Sequence, residues 1–220
     1  MADRFAPVLA ALTAIGGADA AAPNPTAATS ASSPATLRLT FAQPEGKPPV
    51  VVGADNAGTA VTPLEAKDEP ALALAASFAR SLAPGQKLLA VSLDPDAPFP
   101  SFAFLGPILH GLQTDLVVAG AADGGSGSSS SSGWVPLTSP TKPIVSYIKP
   151  GPPSPSAAHR YVFMVYKQPE GLDTAGVMAR MGWAPEGVSR MGRMRFDANT
   201  LTQNLGLGEI VAINYFRSQQ

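Results

Sequence analysis

The 220 residues, 45% of them hydrophobic, suffice for one sizeable core and favour a single folded domain. Fifteen lysines and arginines against sixteen aspartates and glutamates give a formal net charge of −1, which argues against a broad basic surface for nucleic acid. The absence of cysteine excludes disulfides, thiolate nucleophiles and zinc–thiolate sites. No apolar run approaches the roughly 20 residues that span a bilayer, so we expect at most peripheral membrane contact.

The first twenty residues fit two interpretations. Apolar side chains recur at helical spacing and predict an amphipathic docking helix: Phe5, Val8, Leu9, Leu12 and Ile15. Arg4, the apolar stretch 6–15 and the small residues 18–20 instead fit a secretory signal. The helix predicts a cytoplasmic protein and the signal a secreted one. The Pro-containing stretch 20–35 reads as a linker, so residues 1–36 are predicted as helix plus linker and 37–220 as the folded domain.

Seven apolar or alternating segments predict strands, and most of the 23 prolines and 21 glycines fall between them. The segments are 37–41, 50–52, 87–93, 108–118, 144–148, 161–166 and 209–216. Many short strands joined by Pro/Gly turns favour a mainly β fold with flanking helices, arranged as a two-sheet β-sandwich.

Two short helices are predicted near the C-terminus. Thr174 is suited to cap a helix that ends near Gly182. Asp197 is suited to cap the helix ANTLTQNL, with Leu201 on its apolar face and Gly206 just beyond its end. The run 124–133, GGSGSSSSSG, predicts an exposed loop.

The chain has two histidines, His110 and His159, each at the edge of a predicted strand. Tyr161 is two residues beyond His159, so both side chains should lie on one face of that strand. Imidazole and phenol groups can donate to an anion or exchange protons near neutral pH.

A second candidate cluster is the run Asp94-Pro95-Asp96-Ala97-Pro98. Its prolines end the preceding strand and hold two carboxylates in a rigid turn. These carboxylates can serve a functional cleft and orient a histidine. Alternatively, Asp94 simply bonds its own backbone in an Asx-turn.

Four blocks together resemble the phosphatidylethanolamine-binding proteins, also called Raf kinase inhibitor-like proteins, over about residues 37 to 217. They are LLAVSLDPDAP, GPILHGLQTDL, IVSYIKPGPPSPSAAHRYVFMVYKQ and RMRFDANTLTQNLGLGEIVAINYF. The resemblance implies a two-sheet β fold with flanking helices and a small pocket for phosphate, phosphoryl headgroups or similar anions.

The resemblance also implies which residues form that pocket. The polar members are Asp94, Asp96, His110, His159 and Tyr161, with Pro98 and Pro152 shaping the walls. Phe216 stands where many animal relatives have a tyrosine, and Gly111 stands where an aromatic residue often follows the histidine. These two departures predict a wider and more apolar pocket.

Two functions remain open from the sequence. The first is binding of a phosphate, phospholipid headgroup or phosphorylated partner, with a regulatory or inhibitory role toward a kinase or protease. The alternative is a small-molecule enzyme, an isomerase, cyclase or lyase, that uses His159, His110, Asp96 and Tyr161 for general acid–base catalysis. Neither function calls for a cofactor, a metal or a nucleic acid.

Overall fold

The structure is a computed structural model that describes Val8 and residues 34–120, 133–184 and 186–220. Its strands are β1 Ala35–Phe41, β2 Val50–Val52, β3 Ala71–Ala75, β4 Leu88–Asp94, β5 Ile108–Val118, β6 Trp134–Thr138, β7 His159–Lys167 and β8 Ile210–Ser218. Its helices are α1 Ala76–Ala79, α2 Thr174–Met181 and α3 Ala198–Leu205, with a 3₁₀ turn at Met191–Arg193. Apart from Val8 and Gly133, the predicted N-terminal helix or signal and the glycine–serine run lie outside the described residues, as does nearly all of the predicted linker. No helix within the described ranges is long and apolar enough to cross a bilayer.

The mainly β fold with flanking helices is confirmed, but the two-sheet arrangement is corrected. The strand order is β2-β1-β3-β6-β5-β4-β7-β8, and β1 also pairs in parallel with β8 through Ala35↔Ala212 and Thr36↔Ile213. That pairing closes seven of the described strands into one hydrogen-bonded ring. Strand β2 lies outside the ring and pairs with β1. The sequence pattern missed the closure because alternation reveals a strand's faces but not its partners.

The central strands are buried on both faces. Leu88, Phe163 and Phe216 belong to a core that β1, β2 and β3 cover. On the opposite face, Leu89 and Met164 belong to a second core that α2 and α3 cover. Burial on both faces explains why β4 and β7 read as continuous apolar runs instead of alternating ones.

Asn214 reinforces the junction that closes the ring. Its side chain is fully buried and donates to the carbonyls of Leu37 at 2.7 Å, Gly53 at 3.2 Å and Val52 at 3.3 Å. Its Oδ1 accepts from the backbone N–H of Tyr215 at 2.8 Å. One side chain therefore ties β8 to β1 and β2, where backbone pairing covers only two residue pairs.

The predicted elements are largely confirmed, with local corrections. Helix α3 is as predicted: Asp197 accepts from the N–H of Asn199 at 2.9 Å, and Gly206 is left-handed at φ 67°. Helix α2 is capped by Asp173 instead of Thr174, because the Asp173 carboxylate accepts from the N–H of Gly176 at 2.7 Å.

The segment 144–148 is not a strand. It makes only an isolated bridge, between Val145 and Leu112, and prolines stand close on both sides of it. Strands β3 and β6 were not predicted from the sequence. The first reads ALALA, which fits either a strand or a helix, and the second contains a proline.

Replacing Asn214 with alanine should lower the free energy of unfolding by about 2 to 4 kcal/mol, because two buried carbonyls and a half-buried one lose this donor. Urea unfolding followed by circular dichroism measures the change. Asn204→Ala is the matched control: Asn204 is exposed, and its replacement should cost under about 0.5 kcal/mol. Equal effects of the two substitutions would contradict the role given to Asn214.

Candidate functional site

A cavity of about 750 Å³ opens at one end of β4, β5 and β7. Strand β4 ends at Asp94, and the antiparallel strand β7 begins at His159, so both residues reach the same end of the sheet. Five of the predicted residues line the cavity: Asp94, Pro98, His110, His159 and Tyr161. The structure therefore brings together groups from three separate stretches of the chain.

Asp94 forms the Asx-turn and also contacts His159. Its Oδ1 accepts from the backbone N–H of Asp96 at 2.8 Å, which is the Asx-turn. Its Oδ2 accepts from Nδ1 of His159 at 2.9 Å. The carboxylate is buried, so it holds the turn and orients the imidazole together.

Both ring nitrogens of His159 are engaged inside the protein. Nε2 lies 3.1 Å from the carbonyl oxygen of Pro98 and 3.0 Å from Oγ of Ser156. A carboxylate and a carbonyl only accept hydrogen bonds, so a proton on each nitrogen satisfies both partners, and this geometry favours the imidazolium. Burial is the largest single influence and lowers the pKa of His159, but the hydrogen bond and charge of Asp94 and the charge of Asp96 together raise it above the ordinary value.

Ser156, His159 and Asp94 have the order of a nucleophile, base and acid, but their hydrogen bonds run the wrong way for that chemistry. The Ser156 hydroxyl donates to the carbonyl of Ala157 at 3.0 Å. An Nε2 that already donates to Pro98 cannot accept the hydroxyl proton. With His159 as an imidazolium, the arrangement holds the ring in place and leaves Ser156 without a base.

His110 is in the opposite state. Its Nδ1 is 2.8 Å from the carbonyl oxygen of Ile148, which requires a proton on that nitrogen. Burial is the largest influence and lowers the pKa of His110. It outweighs the Ile148 hydrogen bond and the charge of Asp94, which raise that pKa, and the charges of Arg193 and His159 lower it further. The ring is therefore neutral at pH 7, and its Nε2 makes no hydrogen bond to any described residue.

Tyr161 supplies a buried donor. Its ring stacks on Phe216 with centroids 5.2 Å apart and makes a T-shaped contact with the His110 ring, with centroids 5.0 Å apart. Its hydroxyl is buried, and its O–H has no acceptor among the described residues. Burial raises its pKa well above the ordinary value, and a backbone contact from Gly151 opposes that rise only in part. A buried hydroxyl without a partner costs about 1 to 3 kcal/mol, which a ligand in the cavity would relieve.

Three predicted pocket residues lie behind the wall instead of in it. Asp96 accepts from Nε of Arg160 at 2.9 Å and from its Nη2 at 2.6 Å. Phe216 is fully buried behind Tyr161. Pro152 is buried, and its neighbours Gly151 and Pro153 line the cavity. These three residues support the wall and do not face the cavity.

The space expected at Gly111 is absent. A Cβ on Gly111 would lie 2.9 Å from Oγ of Ser92, so this position is already filled. Successive strand residues point to opposite faces, and Gly111 therefore faces away from the cavity that His110 lines. The apolar wall comes from residues that the sequence analysis missed: Leu105, Ile108, Val188 and Met194.

Three cationic residues that line the cavity were also missed: Lys149, Arg190 and Arg193. Nη1 of Arg193 donates to the carbonyl of Ser146 at 2.8 Å, and none of the three cations has an ion-pair partner among the described residues. The signal in the sequence was the run RMGRMR at 190–195.

Exposed apolar side chains accompany these cations. Phe99, Phe102, Ile148 and Met191 are between 37% and 73% exposed. Ile148 lines the cavity, and Phe99 and Met191 directly follow the lining residues Pro98 and Arg190. We refer to these four apolar residues as the rim.

Comparisons with known proteins agree with the fold. A family profile described as phosphatidylethanolamine-binding protein matches residues 35–212. The chain is 34% identical to a carboxypeptidase Y inhibitor of Saccharomyces cerevisiae, over only 39% of the length of each. A crystal structure of carboxypeptidase Y inhibitor complexed with the cognate proteinase superimposes with a TM-score of 0.59 at 19% identity, over 84% of this chain and 83% of that one. A phosphatidylethanolamine-binding protein from Plasmodium vivax gives 0.55 at 12% identity, over 96% and 97%. At such identities the structures show the fold alone.

The two histidines should titrate on opposite sides of the ordinary value of about 6.5. His159 stabilises the fold fully below that value, and its contribution is lost as the pH rises through its raised folded pKa. His110 acts the opposite way and costs stability as the pH falls below the ordinary value. The two effects oppose each other in bulk unfolding data, so histidine NMR titration is the measurement that separates them.

Asp94→Asn should lower the pKa of His159, because it removes the charge that favours the imidazolium. Asp173→Asn, in the cap of α2, should leave both titrations unchanged. A wild-type His159 that titrates below His110 would overturn these assignments.

Proposed function

The chain belongs to the phosphatidylethanolamine-binding protein family, and from that premise we propose that its cavity binds a small anionic group. The group is a phosphate, a phospholipid headgroup or the phosphoryl group of a modified partner. The buried O–H of Tyr161, which has no acceptor among the described residues, is the observation that carries this proposal.

The charges around the cavity support an anion over a cation. Asp94 is the one carboxylate among the lining residues, and its charge is matched by the His159 imidazolium. Lys149, Arg190 and Arg193 add positive charge without a matching acid in the lining. A buried donor facing a positive field suits an oxyanion, because charge-assisted hydrogen bonds are about twice as strong as neutral ones.

An inhibitory role toward a partner protein is the second part of the proposal. The yeast relative is named for inhibition of carboxypeptidase Y, and a solved complex pairs such an inhibitor with its proteinase. The rim supports docking of a protein at the cavity mouth, because aromatic residues, methionine and arginine are enriched at protein interfaces. A protease is the partner class that these relatives favour.

One observation keeps the enzymatic alternative in view. The neutral Nε2 of His110 can act as a base and the Tyr161 hydroxyl as an acid, with ring centroids 5.0 Å apart. An isomerase, cyclase or lyase would need such a pair. If His110→Gln stops turnover of a candidate substrate while anion binding persists, the enzyme is favoured; loss of binding alone favours the binding module.

Tyr161→Phe should weaken binding of phenylphosphonate by about 10- to 100-fold in isothermal titration calorimetry, because the ligand loses a hydrogen bond to a charged oxygen. Stability should stay the same or rise, since an unsatisfied hydroxyl is removed. Tyr166→Phe is the matched control, because Tyr166 lies in the core and its hydroxyl meets Sδ of Met164. Wild-type affinity in Tyr161→Phe would refute the proposed contact.

The paired change Phe99→Ser and Phe102→Ser should reduce inhibition of carboxypeptidase Y by at least about tenfold, because truncation of buried aromatic contacts typically costs over 1 kcal/mol. Peptidase assays at increasing protein concentration measure the inhibition constant. Lys167→Glu, at the far end of β7 from His159, is the control for a surface change. Absence of inhibition by the wild-type chain would remove this peptidase as a partner.

A further inference from the structure

We infer that the cavity selects a singly protonated oxyacid group, a phosphomonoester or phosphonate monoanion that donates its own O–H to Nε2 of His110 and accepts from Tyr161. This inference rests on the proposed anion binding and specifies the chemistry of the anion. A phosphodiester has no such O–H and is predicted to bind more weakly.

The neutral His110 ring carries its proton on Nδ1. The Ile148 carbonyl can only accept, so the proton of the neutral ring resides on Nδ1 and Nε2 presents a lone pair. Nδ1 is occupied by this bond, so Nε2 is the nitrogen that remains for a ligand in the cavity. In this state His110 accepts a hydrogen bond from the ligand instead of donating one.

The charged groups around His110 are mostly cationic. The titratable and charged groups that share its cavity are Asp94 from β4, Tyr147 and Lys149 from the segment before β7, His159 and Tyr161 from β7, and Arg190 and Arg193 at the 3₁₀ turn. Asp94 is the one acid in this set, and both of its oxygens are already bonded. A second imidazolium would therefore lie among several cations without a carboxylate of its own.

His159 cannot accept a hydrogen bond from the ligand. Its two nitrogens donate to Asp94 and Pro98, and its ring is 1% exposed. The inner polar groups left for a ligand are one acceptor, His110 Nε2, and one donor, the Tyr161 hydroxyl. Their rings are 5.0 Å apart, close enough for one oxyacid group to contact both.

Nε2 of His110 and the hydroxyl of Tyr161 together distinguish between ligands of equal charge. A phosphonate monoanion offers an O–H to His110 and anionic oxygen to Tyr161 with no change in protonation. A methyl phosphonate ester monoanion offers only acceptors, so it must either leave Nε2 facing a negative oxygen or bind together with a proton on His110. Binding of the two ligands therefore differs by one hydrogen bond and by one proton taken up, and both differences can be measured.

The experiment compares phenylphosphonate with its monomethyl ester at about pH 5.5, below the second phosphoryl pKa of about 6, where both are largely monoanions. Calorimetry in two buffers of different ionisation enthalpy gives affinity and proton uptake together. Phenylphosphonate should bind at least about tenfold more tightly, and the ester should take up about one proton more than phenylphosphonate does, whatever fraction of His110 is protonated before binding. His110→Phe should abolish the difference between the two ligands, and Tyr166→Phe should keep it.

The possible outcomes separate the two proposals. Equal affinities with equal proton uptake would overturn this inference and leave anion binding intact, whereas no binding of either ligand would overturn the proposed function. The comparison of phenylphosphonate with its monomethyl ester on the wild-type chain still tests the inference if His110→Phe does not fold. Glycerol 3-phosphate and phosphoserine then distinguish a lipid-like from a protein-like source of the monoester. Glycerophosphoethanolamine is a phosphodiester. If it binds as tightly as these monoesters, its ammonium group would be the donor to His110, and the inference would be overturned.

Discussion

The site depends on a single buried carboxylate, that of Asp94. One of its oxygens ends β4 in a tight turn, and the other holds the His159 ring. Without this carboxylate the imidazolium would be a buried, unpaired charge, which costs several kcal/mol. The rest of the cavity is arranged around this pair, because it determines where the Pro98 carbonyl and the start of β7 lie.

The two histidines differ because their partners differ. His159 has acceptors on both nitrogens and a carboxylate beside it, so it stays charged and unavailable. His110 is buried beside cationic residues, so its ring stays neutral, and its one carbonyl partner leaves Nε2 free for a ligand. The two histidines thus take separate roles: His159 is structural and electrostatic, and His110 is proposed to recognise the ligand directly. Tyr161 complements His110, since its phenol remains protonated and can donate.

Support for the site comes from residues that do not face the ligand. The Arg160 side chain holds Asp96 through two of its nitrogens and so stiffens the turn that begins at Asp94. Phe216 stacks behind Tyr161 and fixes the plane of its ring. Sequence reasoning assigned both Asp96 and Phe216 to the pocket because it could locate a segment but not the direction of each side chain.

The sequence alone determined the strands with strong apolar runs, the caps and end of α3, and the main polar members of the site. These features depend on residues close together in the chain: Pro95 and Pro98 stop a strand, and two-residue spacing puts His159 and Tyr161 on one face. Tertiary structure alone decided the ring closure through Asn214, the filled space at Gly111 and the grouping of Lys149 with Arg190 and Arg193. It also decided the protonation of each histidine, because the partners that set it come from residues 38 to 65 positions away in the chain, and no local pattern encodes those contacts.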